Sequence, residues 1–311
     1  MEGTATIKVR NLTKDFGPIR AVDDISFKVK RGEVFGFLGP NGAGKSTTMK
    51  MISSFITPTS GSVSILGMDV TASPMEVKSK IGYLPESAPL YPDMTVSDFL
   101  NFIKEVRGLS GSEPMERVVR LCSLRSVLNQ KIETLSKGFK RRVALAQAII
   151  HDPEVLIMDE PTDGLDPNQK AEVRKLIREM AKEKIIILST HILEEVEALC
   201  TRAVIISEGR IRFDGTPLEL RQRSKKHNAV EIKLHSAADN KALDKLRSLD
   251  SVVSVEHSGD MKICVLPKEK KNICHGIISF AAKQNFDIDE VSLIEGDMNE
   301  VFREITAGGV S

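Results

Sequence analysis

Gly39-Pro-Asn-Gly-Ala-Gly-Lys-Ser-Thr47 decides the fold class of this chain. The stretch fits G-x-x-x-x-G-K-[S/T]. It stands between Val34–Leu38, an apolar run of buried-strand length, and Lys45–Ser54, which reads as a helix. Strand, glycine turn and helix together give the pattern a mechanism. Glycines let the backbone wrap around phosphate groups and point N–H groups inward. The helix then faces the anion with its positive end. On this reading Gly39, Pro40, Asn41, Gly42, Ala43, Gly44, Lys45, Ser46 and Thr47 form a nucleotide site. Lys45 is placed to reach the β- and γ-phosphates, and the Ser46 hydroxyl to ligate Mg²⁺. ATP and Mg²⁺ are the expected ligands.

Downstream, Val155-Leu-Ile-Met-Asp159 is followed by Glu160. A buried strand ending in two acids delivers charge to the carboxyl edge of a sheet, where ligands gather in such folds. Asp159 is expected to hold the hydrated metal, and Glu160 to orient or deprotonate an attacking water. Further strands are expected at Ile7–Arg10, Ile25–Val29, Ser62–Leu66, Ile185–Ser189 and Ala203–Ser207. Helices are expected at Asn168–Lys182 and His191–Leu199, and a helical stretch from about Pro92 to Ile150. Within that stretch Thr95 or Ser97 caps a helix through Val106, Ser112 caps another, and a third covers Ser136–Ile150. Strands separated by helices argue for a buried, mainly parallel sheet.

Leu135-Ser-Lys-Gly-Phe-Lys-Arg-Arg142 opens the last of those helices. Ser136 is a good N-cap, so the helix offers a second positive end. Within one chain that end cannot easily reach the same γ-phosphate. A head-to-tail dimer, in which each chain covers the other's glycine loop, resolves the difficulty.

Taken together, these segments resemble the ATP-binding subunits of ABC transporters, over about Ile7–Pro217. The motifs stand in the family's order: Walker A at Gly39–Thr47, signature at Leu135–Phe139, Walker B at Val155–Glu160, D-loop at Gly164-Leu165-Asp166, and a switch histidine in Ser189-Thr-His191. The resemblance implies an α/β P-loop NTPase domain of ABC type, with an antiparallel β subdomain and a helical subdomain at about 87–150. It implies catalytic roles for Lys45, Glu160 and His191, and Mg²⁺ contacts from Ser46, Asp159 and Glu86. Ser136, Gly138 and Asp166 join the nucleotide site, and Phe16 sits where the family stacks an aromatic ring on adenine. A buried strand residue is the alternative for Phe16. Two departures stand out. The signature reads LSKGF where the family often has LSGGQ. Ile81-Gly-Tyr-Leu-Pro-Glu86 carries Glu86 where the family usually has glutamine. A carboxylate still offers oxygen to Mg²⁺ but adds a charge and loses an amide donor.

Beyond residue 222 the pattern changes. Arg221–His227 reads as a linker, bounded at 223–228. Residues 229–311 read as strand, helix, two strands, helix, strand and a terminal helix, a small ferredoxin-like α+β domain. The Glu86 variant and this extension resemble the exporter ATPases that work with separate membrane subunits. The expected partners are therefore a second ATPase protomer, with a homodimer favoured, and transmembrane permease subunits.

Composition narrows the alternatives. The 311 residues carry 44 Lys and Arg against 43 Asp and Glu, a balance unlike that of a duplex-coating protein. With no Trp and 5% aromatics, stacking platforms for single strands are not expected. Cys122, Cys200, Cys264 and Cys274 have no metal-site spacing and read as reduced thiols. Neither a signal peptide nor a membrane span is apparent, so the expected place is the cytoplasmic face of a membrane, reached through the partner. The rival reading is a soluble ATPase of the same type acting on ribosomes or DNA.

Overall fold

In the computed structural model residues 6–236, 240–259 and 261–307 are described. They divide into two compact units, one running to Pro217 and taking in Ile305–Ala307, the other Leu218–Glu304.

The first unit opens with β1 (Ile7–Phe16) and β2 (Ile19–Val29), a long antiparallel pair. β3 (Val34–Leu38) is buried at every position, as an unbroken apolar run requires of a central parallel strand. It leads through the glycine loop into α1 (Lys45–Ile52). β4 (Ser60–Ile65) and β5 (Met68–Asp69) complete an antiparallel sheet of order β2-β1-β4-β5. Phe27 of β2 stacks on Phe35 of β3 at 5.1 Å between ring centroids, and Phe37 meets both edge-on, so one aromatic cluster joins this sheet to the next. Contacts of this kind add about 0.5–1.5 kcal/mol each beyond the area they bury.

After α2 (Pro74–Lys80) and β6 (Ile81–Leu84) comes a helical region: α3 (Val96–Val106), α4 (Glu113–Leu121) and α5 (Lys137–Ile149). Thr95 and Ser136 cap α3 and α5 with their hydroxyls, accepting from the backbone N–H of Asp98 and Phe139. Ser112 occupies the cap position of α4 but makes no capping bond, contrary to expectation. Its own backbone is already helical there. β7 (Val155–Asp159), α6 (Pro167–Ala181), β8 (Ile185–Thr190), α7 (Leu193–Leu199), β9 (Arg202–Ser207) and β10 (Arg210–Gly215) finish the unit. The second sheet has the order β10-β9-β3-β8-β7-β6, parallel except for the β10 edge. Because β3, β8, β7 and β6 are consecutive neighbours, the loops at their carboxyl ends meet along one edge.

The second unit begins with α8 (Pro217–Gln222), whose first residue closes the first unit. β11 (Ala229–Leu234), α9 (Asn240–Arg247), β12 (Val252–Gly259), β13 (Lys262–Pro267), α10 (Cys274–Lys283), β14 (Ile288–Ile294) and α11 (Met298–Ala307) follow. The sheet order β12-β13-β11-β14 is antiparallel throughout, the arrangement of a split βαβ pair. Two expectations change here. The chain between β13 and α10 turns at Glu269 and Lys270, which take left-handed backbone angles (φ 56° and 55°), so α10 starts only at Cys274. The division falls after Pro217 and not at 222, and residues 223–228 are folded, not a free linker. The Ser224 hydroxyl is buried and donates to Glu300 at 2.7 Å, Lys225 pairs with Glu304 at 2.5 Å, and Arg221 pairs with Glu295. Carboxylates at 295–304 match the polar run, so it docks.

Among the described residues no helix is long and apolar enough to cross a membrane. The four thiols are free, and burial pushes those of Cys122 and Cys200 up to about 12.

Candidate functional site

The carboxyl edge of β3, β8, β7 and β6 frames a cleft of about 380 Å³. Asn41 to Thr47 line it from the loop after β3, His191 from after β8, Asp159, Glu160 and Asp163 from after β7, and Glu86 from after β6. Ala21 of β2 closes one side.

The glycine loop has the shape its sequence requires. Gly42 and Gly44 take φ of 79° and 103°, and Gly44 stands at the N-terminus of α1. A Cβ on Gly39 would lie 2.2 Å from the Ile206 carbonyl oxygen, so only glycine lets the loop leave the sheet there. Lys45 is buried, and its ammonium donates to the carbonyls of Gly39 at 2.7 Å and Pro40 at 3.1 Å. Burial lowers its pKa from the ordinary lysine value, against the pull of the Glu160, Asp159 and Glu86 carboxylates.

The two acids differ in setting. Asp159, buried at the end of β7, accepts from the Ser189 hydroxyl. Glu160 is a non-glycine residue at φ 49°, a left-handed conformation that costs about 1–3 kcal/mol and persists only where surroundings over-determine it. Its backbone N–H donates to the Ser189 carbonyl at 3.2 Å. Its carboxylate Oε1 lies 3.0 Å from Nδ1 of His191, whose side chain is 51% exposed. The helix expected from His191 begins only at Leu193. His191 therefore sits on a bend, which the Thr190 hydroxyl stabilises by accepting from the Ile192 N–H at 3.1 Å.

Of the expected nucleotide residues, Gly39 and Pro40 hold Lys45 from behind the cleft. Phe16 lies outside the cleft lining, at the end of β1, 50% exposed, with the Lys14 ammonium 5.1 Å above its ring. It is not a buried strand residue. Ser136, Gly138 and Asp166 are also outside the lining. Ser136 caps α5, and Asp166 caps α6 by accepting from the Gln169 N–H at 3.0 Å. A Cβ on Gly138 would strike the Gln169 amide at 2.3 Å. Of the groups lining the cleft, the Ser46 hydroxyl and the Asp159 and Glu86 carboxylates offer oxygens to a metal, beside Thr47, Glu160, Asp163 and the His191 ring. That set fits Mg²⁺, which takes one or two carboxylates and completes its shell with phosphate and water.

Three functional groups escaped the sequence reading. Ser189 ties Asp159 to β8. Glu195 is a buried carboxylate that accepts from the hydroxyls of Thr162 and, at 2.9 Å, Thr190, while Arg174 stands 3.9 Å away. Burial raises its pKa, opposed by the Thr190 hydrogen bond and by Arg174. Its position four residues after His191 is the only hint the sequence offers. Arg141, on α5, reaches five backbone carbonyls around the acids.

A family model described as "ABC transporter" matches residues 22–163. The "Probable multidrug ABC transporter ATP-binding protein YbhF" of Escherichia coli (strain K12) is 39% identical over 226 residues, covering 71% of this chain and 39% of that protein. The chain thus spans about two fifths of that relative's length. The "Linearmycin resistance ATP-binding protein LnrL" of Bacillus subtilis (strain 168) is 32% identical over 305 residues, 96% of this chain and 98% of the other. A solved structure described as "Structure of ATP binding subunit of ABC transporter" is 33% identical with a TM-score of 0.65, covering 70% of this chain and 92% of that one.

Proposed function

The chain belongs to the ABC transporter family, and from that premise we propose that it is an ATP-hydrolysing subunit driving a separate membrane subunit of an exporter. The observation that carries this reading is the Glu160–His191 pair, 3.0 Å apart on a cleft built by a phosphate loop. ATP is the substrate. The loop's N–H groups and the start of α1 hold its phosphates. Lys45 exchanges the Gly39 and Pro40 carbonyls for β- and γ-phosphate oxygens. Water attacks the γ-phosphorus as the bond to the oxygen bridging it to ADP breaks, leaving ADP and inorganic phosphate. The Glu160 carboxylate takes the water's proton, and His191 keeps that carboxylate turned into the cleft. Ser46, Asp159 and Glu86 would hold Mg²⁺, which when bound neutralises charge on the phosphates. Phe16, exposed at the end of β1, is assigned to the adenine.

Ser136 and Gly138 are assigned to the cleft of a second copy of the chain, head to tail, with Asp166 placing the loop between them. Removing the γ-phosphate takes away what the two copies share, and the dimer reopens. The membrane subunit is assigned to an apolar groove of about 690 Å³ beside the Glu86 loop, lined by Phe55, Met75, Tyr83 and Val106 among others. Phe55, Met75 and Val106 are 60%, 76% and 68% exposed, and apolar side chains left open along one groove suit a partner's surface. The subunit is accordingly placed at the cytoplasmic face of a membrane, held there by its partner, with the ferredoxin-like unit as an accessory module. The words multidrug and linearmycin resistance in the relatives' names support a small exported cargo.

Glu160→Gln tests the reading. The variant should bind MgATP, accumulate as a nucleotide-dependent dimer in gel filtration, and release phosphate about 10²–10⁴-fold more slowly. Hydrolysis at the wild-type rate would remove Glu160 from the reaction.

A further inference from the structure

We propose that Arg141 is a positioning residue for hydrolysis: it fixes the peptide planes on both sides of Glu160 and ties them, with the Glu86 loop, to the signature helix α5. The inference rests on the reading of Glu160 as the group that handles the attacking water.

An arginine has five N–H donors in a rigid planar fork, and here each has a carbonyl acceptor. Nη2 donates to Asp159 and Glu160, both at 2.5 Å. Nη1 donates to Pro85 at 3.0 Å and Glu86 at 2.8 Å, and Nε to Pro161 at 3.2 Å. The acceptors belong to two loops, one after β6 and one after β7. The donor belongs to the helix that starts at Ser136.

The placement of two of these bonds is telling. The Asp159 carbonyl belongs to the peptide before Glu160, and the Glu160 carbonyl to the peptide after it. The orientations of those two planes are the φ and ψ of Glu160. One guanidinium holding both carbonyls therefore holds the residue at its left-handed φ of 49°, and so decides where the carboxylate points. The same group holds the Glu86 carbonyl, which belongs to the loop bordering the apolar groove. Any rotation of α5 that follows from its contact with a neighbouring copy's nucleotide reaches both loops through one planar guanidinium. Lysine cannot do this. It offers one nitrogen with three donors and cannot span the carbonyls of two loops.

Arg141→Lys and Arg141→Gln in the full-length chain test the assignment. Expected is a fall in kcat of about tenfold to hundredfold, with KM and the Kd for MgATP within about twofold of wild type. Lysine should rescue no better than glutamine despite its charge. A general packing role would move KM and the thermal midpoint with kcat, and that pattern overturns the assignment. So does an unchanged kcat. A second readout uses the Glu160→Gln background. Adding Arg141→Gln should leave the ATP-dependent dimer intact, because only the aim of the side chain at position 160 has been lost. Loss of the dimer would show Arg141 to be a fold element and overturn the proposal. If Glu160→Gln alone hydrolyses normally, the catalytic reading fails instead, and the two failures are told apart.

Discussion

Alanine at Gly44 and, separately, at Gly42 divides the geometry of the phosphate loop into backbone strain and steric overlap. Both glycines have left-handed backbones, at φ 103° and 79°. An alanine in such a conformation costs about 1–2 kcal/mol by itself. At Gly42 nothing more is added, since a Cβ there meets no atom within 4 Å. At Gly44 the Cβ would lie 2.5 Å from the Ala21 carbonyl oxygen and 3.3 Å from Cγ2 of Val22. The first of these is backbone of β2 and can yield only by moving the strand. Overpacking of this sort costs a further ~1–3 kcal/mol. Gly44→Ala should therefore lose roughly 2–5 kcal/mol and Gly42→Ala about 1–2. Urea unfolding of the two variants against wild type measures both. If the Gly44→Ala loop relaxes and must be pushed back to hold phosphate, the same difference appears in binding, where each ~1.4 kcal/mol is tenfold. MgATP affinity should then fall at least about tenfold further for Gly44→Ala than for Gly42→Ala. Equal losses in the two variants would refute the argument that β2 approaches the loop too closely for any side chain.

Other consequences follow from buried charge. Burial, with the Arg107 charge next, holds His151 down to about 4, so the group is depressed in the fold and its contribution is present above the unfolded value. Stability should fall as pH drops from about 6.5 to 4, by roughly 1–2 kcal/mol once partial exposure of the ring is allowed for, and His151→Gln should flatten that slope in urea titrations. Glu195 has the opposite sign: its raised pKa makes the wild type lose stability as pH rises, so Glu195→Gln should gain on wild type from acid to neutral pH. Glu195→Ala leaves the Thr162 and Thr190 hydroxyls without their acceptor and should cost about 2–3 kcal/mol at neutral pH. Glu86→Gln removes one carboxylate from the cleft and should tighten binding of metal-free ATP by about 1–3 kcal/mol, with a much smaller gain for MgATP. Equal effects on the two forms would separate Glu86 from the metal.

What could be read from the sequence was what local chemistry dictates. The glycine loop, the acidic strand end and the hydroxyl caps of α3 (Thr95) and α5 (Ser136) each follow from residue type and spacing, and the strand order puts the first two on one edge. Arg141 could not be singled out in the same way. It is the middle of Lys140-Arg141-Arg142, and a run of basic residues reads as a solvated face. The helical period held a clue: Gly138, Arg141, Leu145 and Ala148 recur at three and four residues, and the other three are buried. A charged residue on an apolar stripe is a question that only the carbonyls of two distant loops answer. Residues 223–228 misled for a related reason. A polar run looks like a linker until the acids that match it, Glu295, Glu300 and Glu304, are brought across from the far end of the unit. Local pattern carries no information about partners 74 to 79 residues away.

The balance of charge in the cleft bears on why such a site would need a second copy at all. Among the described residues lining it, Lys45 is the only lysine or arginine, and it faces Glu86, Asp159, Glu160 and Asp163. The Arg141 guanidinium, outside the lining, offsets part of this charge, but its five donors are committed to carbonyls and none is left for a phosphate. A triphosphate entering an acid-rich cleft is repelled unless further positive charge arrives with it, and burial strengthens that repulsion by lowering the local dielectric. Mg²⁺ supplies part. The start of a second chain's α5, with uncommitted N–H groups and Lys137 in place of a glycine, can supply the rest at the γ-phosphate, where one chain alone is weakest. Closure would then depend on that phosphate in particular. A diphosphate carries less charge for the second helix to answer, so on the proposed reading cleavage at the γ-phosphorus would release the two chains from each other.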